Sequence, residues 1–265
     1  MKESRLCDRR AGVALALQRK DGTLEFVHFS IGIADMPDSD AAEAKKRVLR
    51  SKDRFFEVDD FPGSRTAVAR ELSRLENVGE LRRLRRGLYW RGTETPLGMA
   101  PPPPAAVVRK VYGSLSGVGP ARLTAARALG LSTQVPRYPA FAVPYLAEGI
   151  SRVVLVNRGR RHERAGRRLN NVEIALLEVL EDWADVVELS PEDAVTRLSR
   201  LIGDSIRPDR VAAAARTEPA RVRERLRALL RVAGTDDEAH RVPRAAHEAT
   251  RTLALAGIPP LAAAA

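Results

Sequence analysis

The sequence predicts an α+β protein in two parts: a small, basic helix-and-hairpin unit, followed by a larger, helix-rich unit of mixed α/β character. Three observations carry this reading. A helical apolar pattern over residues 64–78 runs directly into two short apolar runs around a glycine turn. Four consecutive prolines at 101–104 then interrupt the chain. Beyond them the pattern is dominated by helices carrying their own capping residues.

A chain of 265 residues is long enough for two modest hydrophobic cores, and 44% hydrophobic with 30% charged residues is the balance of a folded globular protein. The formal net charge is +11, and the excess is carried almost wholly by arginine. Arginine stays charged and grips phosphate with a planar fork, so a polyanionic partner is expected, nucleic acid ahead of a membrane surface. A genome rich in G and C would explain abundant Arg, Ala and Pro, but not their clustering. Cys7 is the single cysteine, which excludes an intramolecular disulfide. No apolar run has the length of a membrane span or of a signal-peptide core, so the expected location is cytoplasmic.

Residues 1–46 read as an N-terminal extension without charge bias: up to Asp60 there are twelve basic and twelve acidic residues. Residues 24–33 alternate as a strand or hairpin after an Asp21-Gly22 turn, and residues 35–40 form an acidic linker. The region 41–51 is rich in helix formers, 55–58 is a short apolar run, and Asp59 to Gly63 is a turn.

Ser64 is a natural N-cap for the next helix, in which Val68, Leu72 and Leu75 fall on one face. The opposite face carries Arg65, Thr66, Ala69, Arg70, Ser73 and Arg74, all basic, small or polar. Leu81 and Leu84, then Leu88 and Trp90, flank an arginine-rich turn at 85–87, a hairpin signal with the apolar members facing inward. Between Ser64 and Arg91 there are eight arginines against three glutamates. A helix that enters a major groove needs small or polar residues where its backbone nears the bases, and a basic hairpin turn beside it suits phosphates. Residues 47–95 are therefore expected to be a winged helix-turn-helix DNA-binding domain. The competing reading is an ordinary solvated helix and hairpin in an arginine-rich proteome.

Residues 96–104 are expected to be a proline-rich linker, 105–240 a second domain and 241–265 a tail, frayed from Gly257. Within the second domain, 120–129 is a short helix with Pro120 in its first turn. Residues 141–145 and 152–157 are strands, the latter entering a hairpin at Arg158-Gly159. Asn170 with Glu173 forms a capping box for a helix whose stripe is Val172, Leu176, Val179, Leu180 and Trp183. Further helices are expected over 191–202, 208–216 and 219–232. Seven arginines lie between Arg152 and Arg168, opposed by Glu163 alone, while residues 170–196 hold eight carboxylates and no Lys or Arg. The arginine cluster is either an RNA-binding surface or, the weightier reading, a hairpin paired against the acidic helix that follows it.

Signals of catalysis are poor. His28, His162, His240 and His247 are dispersed with no zinc spacing, and no Ser-His-Asp set can be argued. Gly113, Gly117 and Gly119 lack the Lys-Ser/Thr of a phosphate loop and read as turn punctuation. Asp59-Asp60 and Asp236 to Glu238 read as helix-capping groups rather than magnesium ligands. No catalytic residue, metal or cofactor is expected, and the protein is read as a non-enzyme.

Several strings resemble one family. Gly63 to Val68, Leu72 to Leu75, Gly79 to Arg83 and Arg86 to Tyr89 resemble the winged-helix region of AbiEi-like antitoxins of the AbiE-type toxin–antitoxin systems. Ala128 to Pro136 and Glu218 to Arg223 resemble strings of its second domain, so the likeness runs over residues 47–234 in order. The resemblance implies a bacterial repressor that binds repeats in its own promoter and neutralises a nucleotidyltransferase-like toxin, with or without physical contact. It places the double-stranded DNA contacts on Ser64, Arg65, Thr66, Arg70 and Arg74, with Arg82, Arg83, Arg85, Arg86 and Tyr89 in the wing. The alternative is a solitary winged-helix regulator or an RNA-binding protein without a toxin.

Overall fold

The computed structural model describes residues 13–20, 23–30, 40–113, 116–147, 150 and 152–265. Among these the chain is mixed α/β and helix-rich, with four small sheets. Strands β1 (Val13–Lys20) and β2 (Thr23–Ser30) pair antiparallel, with Lys20 opposite Thr23. The expected turn at Asp21-Gly22, most of the acidic linker and Cys7 lie outside the described residues.

The first unit runs α1 (Asp40–Arg50), β3 (Arg54–Glu57), a 3-10 turn (Val58–Asp60), α2 (Arg65–Asn77), β4 (Arg82–Arg85) and β5 (Leu88–Arg91). The strands form one antiparallel sheet in the order β3-β5-β4. Ala44 and Val48 of α1 and Val68, Leu72 and Leu75 of α2 meet Phe56, Phe61, Leu81 and Tyr89 in a single core. Phe56 and Phe61 stack within it, ring centroids 5.8 Å apart.

Strand β5 also buries its other face. Leu88, Tyr89 and Trp90 are all buried, and alternation sends Tyr89 toward α1 and α2 but Leu88 and Trp90 away from them. The segment expected to be a free linker covers that second face. It forms a small antiparallel pair, β6 (Glu94–Thr95) with β7 (Gly98–Met99), and leads into α3 (Pro104–Tyr112). The last of the four prolines is the first residue of α3, where a missing N–H costs nothing, so the proline run conceals a helix start. The Trp90 indole donates to the Ala100 carbonyl at 2.9 Å, and Gly92 is the residue beside it that leaves no room for a side chain: a Cβ there would lie 2.2 Å from that oxygen. Leu84, Leu88 and Trp90 share a core with Val107, Val108 and Tyr112 of α3 and with Phe141, Val143 and Ile150 further on.

The second sheet contains β8 (Gly119–Ala121), β9 (Ala140–Val143) and β10 (Val154–Asn157), ordered β10-β9-β8, and α4 (Arg122–Ala128) follows β8. Two expectations are corrected here. Pro120 belongs to β8 rather than to the first turn of the helix, which begins at Arg122. β10 lies parallel to β9 and enters no hairpin; residues after Asn157 turn into α5 (Glu163–Gly166). β8 can lie on the helix that spans Asn171–Val186 because Gly119 has no side chain: a Cβ would fall 2.7 Å from the Ile174 Cβ.

The remaining helices are α6 (Asn171–Val186), α7 (Pro191–Leu201), α8 (Pro208–Ala214), α9 (Ala220–Val232), α10 (Asp236–Arg241), α11 (Glu248–Leu255) and α12 (Pro259–Ala263). The capping box of α6 is present in both directions, Asn170 accepting from the Glu173 N–H and Glu173 from the Asn170 N–H. Helices α6 and α9 are the buried axis of the largest core. The C-terminal stretch expected to fray is packed: Leu255, Ile258 and Leu261 are buried in that core, and Arg225 of α9 donates to the Ala254 carbonyl at 2.6 Å.

The basic cluster of 152–168 is divided: Arg161 and Arg164 are buried and Arg158 half-buried, while Arg152, Arg160, Arg167 and Arg168 are exposed. Arg164, 1% exposed, reaches Glu178 and Glu218 at 2.6 Å, and both carboxylates are fully buried. Arg158 and Arg161 close the same network onto Glu178 and Glu181. Three of the seven arginines thus pair with the acidic helix, as opposed charge on neighbouring segments suggested, but from a turn and short helix instead of a hairpin. Burial pushes the Glu178 carboxyl up, and the hydrogen bonds and charges of Arg158 and Arg164 outweigh it, leaving its pKa below the usual carboxylate range.

Arg164→Met should leave Glu178 and Glu218 short of a buried partner and lower stability by about 3–5 kcal/mol in urea unfolding. Glu178 ionises more readily folded than unfolded. Its contribution is therefore complete above the unfolded carboxylate pKa of about 4.3 and is lost as pH falls through the lower folded value. A urea-midpoint series from neutral to acid pH should show that loss in the wild type and a shallower one in Glu178→Gln.

Candidate nucleic-acid interface

The start of α2 is fixed from two sides. The Ser64 hydroxyl accepts from the Ala67 N–H at 3.4 Å, and the Asp40 carboxylate at the head of α1 accepts from the Ser64 N–H at 2.7 Å. Gly63 makes that approach possible, with φ +89 and Asp40 lying where its Cβ would be. Asp59 and Asp60 serve the same region: Asp60 accepts from the Glu57 N–H at 2.7 Å, and Asp59 pairs with Arg65. Both act as local capping and pairing groups.

With its apolar face against the sheet, α2 presents Arg65, Thr66, Ala69, Arg70, Ser73, Arg74 and Asn77 along an open groove of about 640 Å³. Arg65 and Arg70 are exposed, and Arg70 has no carboxylate partner among the described residues. Arg74 is half-exposed and held by Glu71 through two hydrogen bonds of 2.8 and 2.6 Å, which keep the Glu71 carboxyl below its ordinary range. Asn77 was not singled out in the sequence. Its place was legible there, since Thr66, Arg70, Ser73 and Asn77 continue one helical stripe at spacings of four, three and four.

The hairpin closes through a two-residue turn, Arg86-Gly87, with Gly87 at φ +75 and Arg85 opposite Leu88. Arg86 is exposed at this tip, and Arg83 is exposed 4.0 Å from Glu76 near the end of α2. Arg82 donates to the Met99 carbonyl at 3.0 Å, and the Nε of Arg85 is buried without a hydrogen-bond partner. Two expected contact residues take other roles. Ser64 is occupied as the cap, and Tyr89, 4% exposed, is a core side chain whose hydroxyl lies 3.3 Å from the Ser73 Oγ. Tyr89 is buried because its place in β5 points it at α2, which no local pattern distinguishes from the outward alternative.

Among the described residues no group of three or more His, Cys, Asp or Glu is placed to hold a metal ion. Among the same residues no helix is long and apolar enough to cross a membrane.

No family model matches the chain, and no curated protein matches it. Among solved structures, the RV2827C protein from Mycobacterium tuberculosis superposes with a TM-score of 0.48 at 18% identity, over 78% of this chain and 82% of that one.

Gly63→Ala should force the left-handed backbone and the Asp40 contact apart, costing about 1–3 kcal/mol in thermal or urea unfolding. Gly87→Ala, with an open turn around it, should cost less than Gly63→Ala in the same measurement.

Proposed function

We propose that this chain is a winged helix-turn-helix repressor that binds duplex DNA in its own promoter through α2 and the β4–β5 turn. The order of helix, strand, short turn, helix and two-stranded hairpin over residues 40–91 supports the winged-helix assignment. The observation that carries the function is the outward face of α2, where small side chains alternate with exposed guanidinium groups, Arg70 without a carboxylate partner among the described residues, beside an exposed arginine tip. A helix about 10–12 Å across fits a major groove about 12 Å wide. On this reading Thr66, Ala69 and Ser73 let the helix approach base edges, Arg65 and Arg70 reach bases or flanking phosphates, and Arg83 and Arg86 contact the backbone. Tyr89 then supports Ser73 from behind instead of touching DNA.

The ordered strings over residues 47–234 extend the proposal to an antitoxin of the AbiE type, which offsets a nucleotidyltransferase-like toxin and acts by binding, not by turnover. The inward pairing of Arg158, Arg161 and Arg164 removes three of the seven arginines of the second basic cluster from an RNA surface.

Gel-shift titration with the DNA upstream of the gene, against a scrambled duplex, tests the reading. Wild type should shift its own promoter selectively, with affinity falling steeply as salt rises. Arg70→Glu should abolish the selective shift with unfolding unchanged. Equal, weak binding of both duplexes by the wild type would sink the repressor assignment. For the antitoxin half, co-expression with a neighbouring nucleotidyltransferase-like protein should restore growth that the latter alone arrests.

A further inference from the structure

A second basic groove, of about 610 Å³, lies between the edge strand β4 and the start of the second sheet, lined by Arg82, Arg83, Arg137, Tyr138 and Arg152 against the proline run. No carboxylate lines it. Its far wall is built by strand pairing: β9 and β10 are parallel, with Ala140 opposite Val154, so the residues just before each strand emerge at the same edge. The Val154 N–H donates to the Pro139 carbonyl at 3.0 Å and holds those two segments together. Arg137 lies over the Tyr138 ring at 5.3 Å, which restrains the guanidinium at the groove wall. Arg152 is held at φ +62, a left-handed backbone that is uncommon for a residue other than glycine and is often found at ligand-contacting positions. The near wall is the hairpin itself, through Arg82, Arg83 and Leu84 of β4, and Arg83 also lies 4.0 Å from Glu76 at the end of α2.

We infer that this groove carries the phosphate backbone of the same DNA duplex beyond the stretch lying under α2, so that the second unit takes part in DNA binding. The inference rests on the DNA-binding reading above. Arg82, Arg137 and Arg152 have no carboxylate partner among the described residues, and Arg83 has only Glu76 at 4.0 Å, so the groove carries a net positive charge that a polyanion running through it would neutralise. The groove is continuous with the wing, so the occupant is the strand that the wing already contacts and not a separate ligand. The shared core of Leu84, Leu88, Trp90, Val107 and Phe141 holds the two walls in one frame, so the second contact carries little ordering cost.

The test is fluorescence anisotropy with the full chain and two duplexes from its promoter, centred on the same site: about 15 base pairs, or one and a half turns, and about 30 base pairs. The variant is Arg137→Gln with Arg152→Asn, asparagine being the residue that best tolerates a left-handed backbone after glycine. Wild type should bind the long duplex about 10-fold tighter than the short one. The variant should lose that advantage while keeping short-duplex affinity, and its log–log salt slope on the long duplex should fall by about 2, one for each phosphate released. Long-duplex affinity and salt slope equal to wild type would overturn the inference and leave the α2 assignment standing, provided Arg70→Glu still abolishes binding. Equal loss on both duplexes would also overturn it. Failure of the wild type to bind either duplex selectively would remove the DNA-binding reading and this inference together.

Discussion

Strand β5 has no solvent face. Leu88, Tyr89 and Trp90 are consecutive and all buried, and a strand that alternates can bury three in a row only if both sides of its sheet are covered. Helices α1 and α2 cover one side, and the chain after the sheet must therefore fold back to cover the other. The Trp90 indole fixes how it does so, through its bond to the Ala100 carbonyl in the segment that precedes α3. The proposed interface depends on this constraint. It orients α2 on one side, presents the Arg86 tip at the end, and places the wing arginines beside the second unit.

Arginine does two opposite jobs in this protein, and burial separates them. Arg158, Arg161 and Arg164 are matched against Glu178, Glu181 and Glu218, three cations with three carboxylates, in a network that holds α5 and α6 together. Such a network is costly to break on one side only, because the surviving charge has no water to turn to. Arg70, Arg86, Arg137 and Arg152 are exposed at the surface, where a guanidinium costs little to keep and is available to an anion. The net charge of +11 is thus a property of the outer set, since the buried set is neutral as a group. The clustering of arginine along the chain therefore marks two different things, and the carboxylates that lie across from each arginine decide which, even within one cluster: Arg152 is exposed where Arg164 is buried.

The winged-helix proposal draws its strength from convergence of local and global features. Gly63, Ser64 and Asp40 set where α2 begins, and the stripe of Thr66, Arg70, Ser73 and Asn77 follows from that start. Tyr89 ties the stripe to the sheet through Ser73. A one-residue shift in the start of α2 would rotate a different set of side chains outward, so the cap and the contact face are linked. The arrangement also explains why Ser64 and Tyr89, adjacent in the pattern to the proposed contact residues, serve the frame instead.

The sequence by itself determined what depends on near neighbours. It set the span of α2 and its cap, the hairpin with its arginine turn, the Asn170–Glu173 capping box, and α7 to α9 to within a residue or two, because periodicity and capping act over a single turn. Helix α3 stayed hidden behind the four prolines, since a proline at the first helical position and one in an extended segment read alike. Only the tertiary structure decided which arginines turn inward, that β10 runs parallel to β9 and not into a hairpin, that Tyr89 faces α2, and that the C-terminal helices pack instead of fraying. Each of these depends on what lies across from the residue in space. A hydrophobic or charged side chain carries no mark of which partner, many residues away, will cover it.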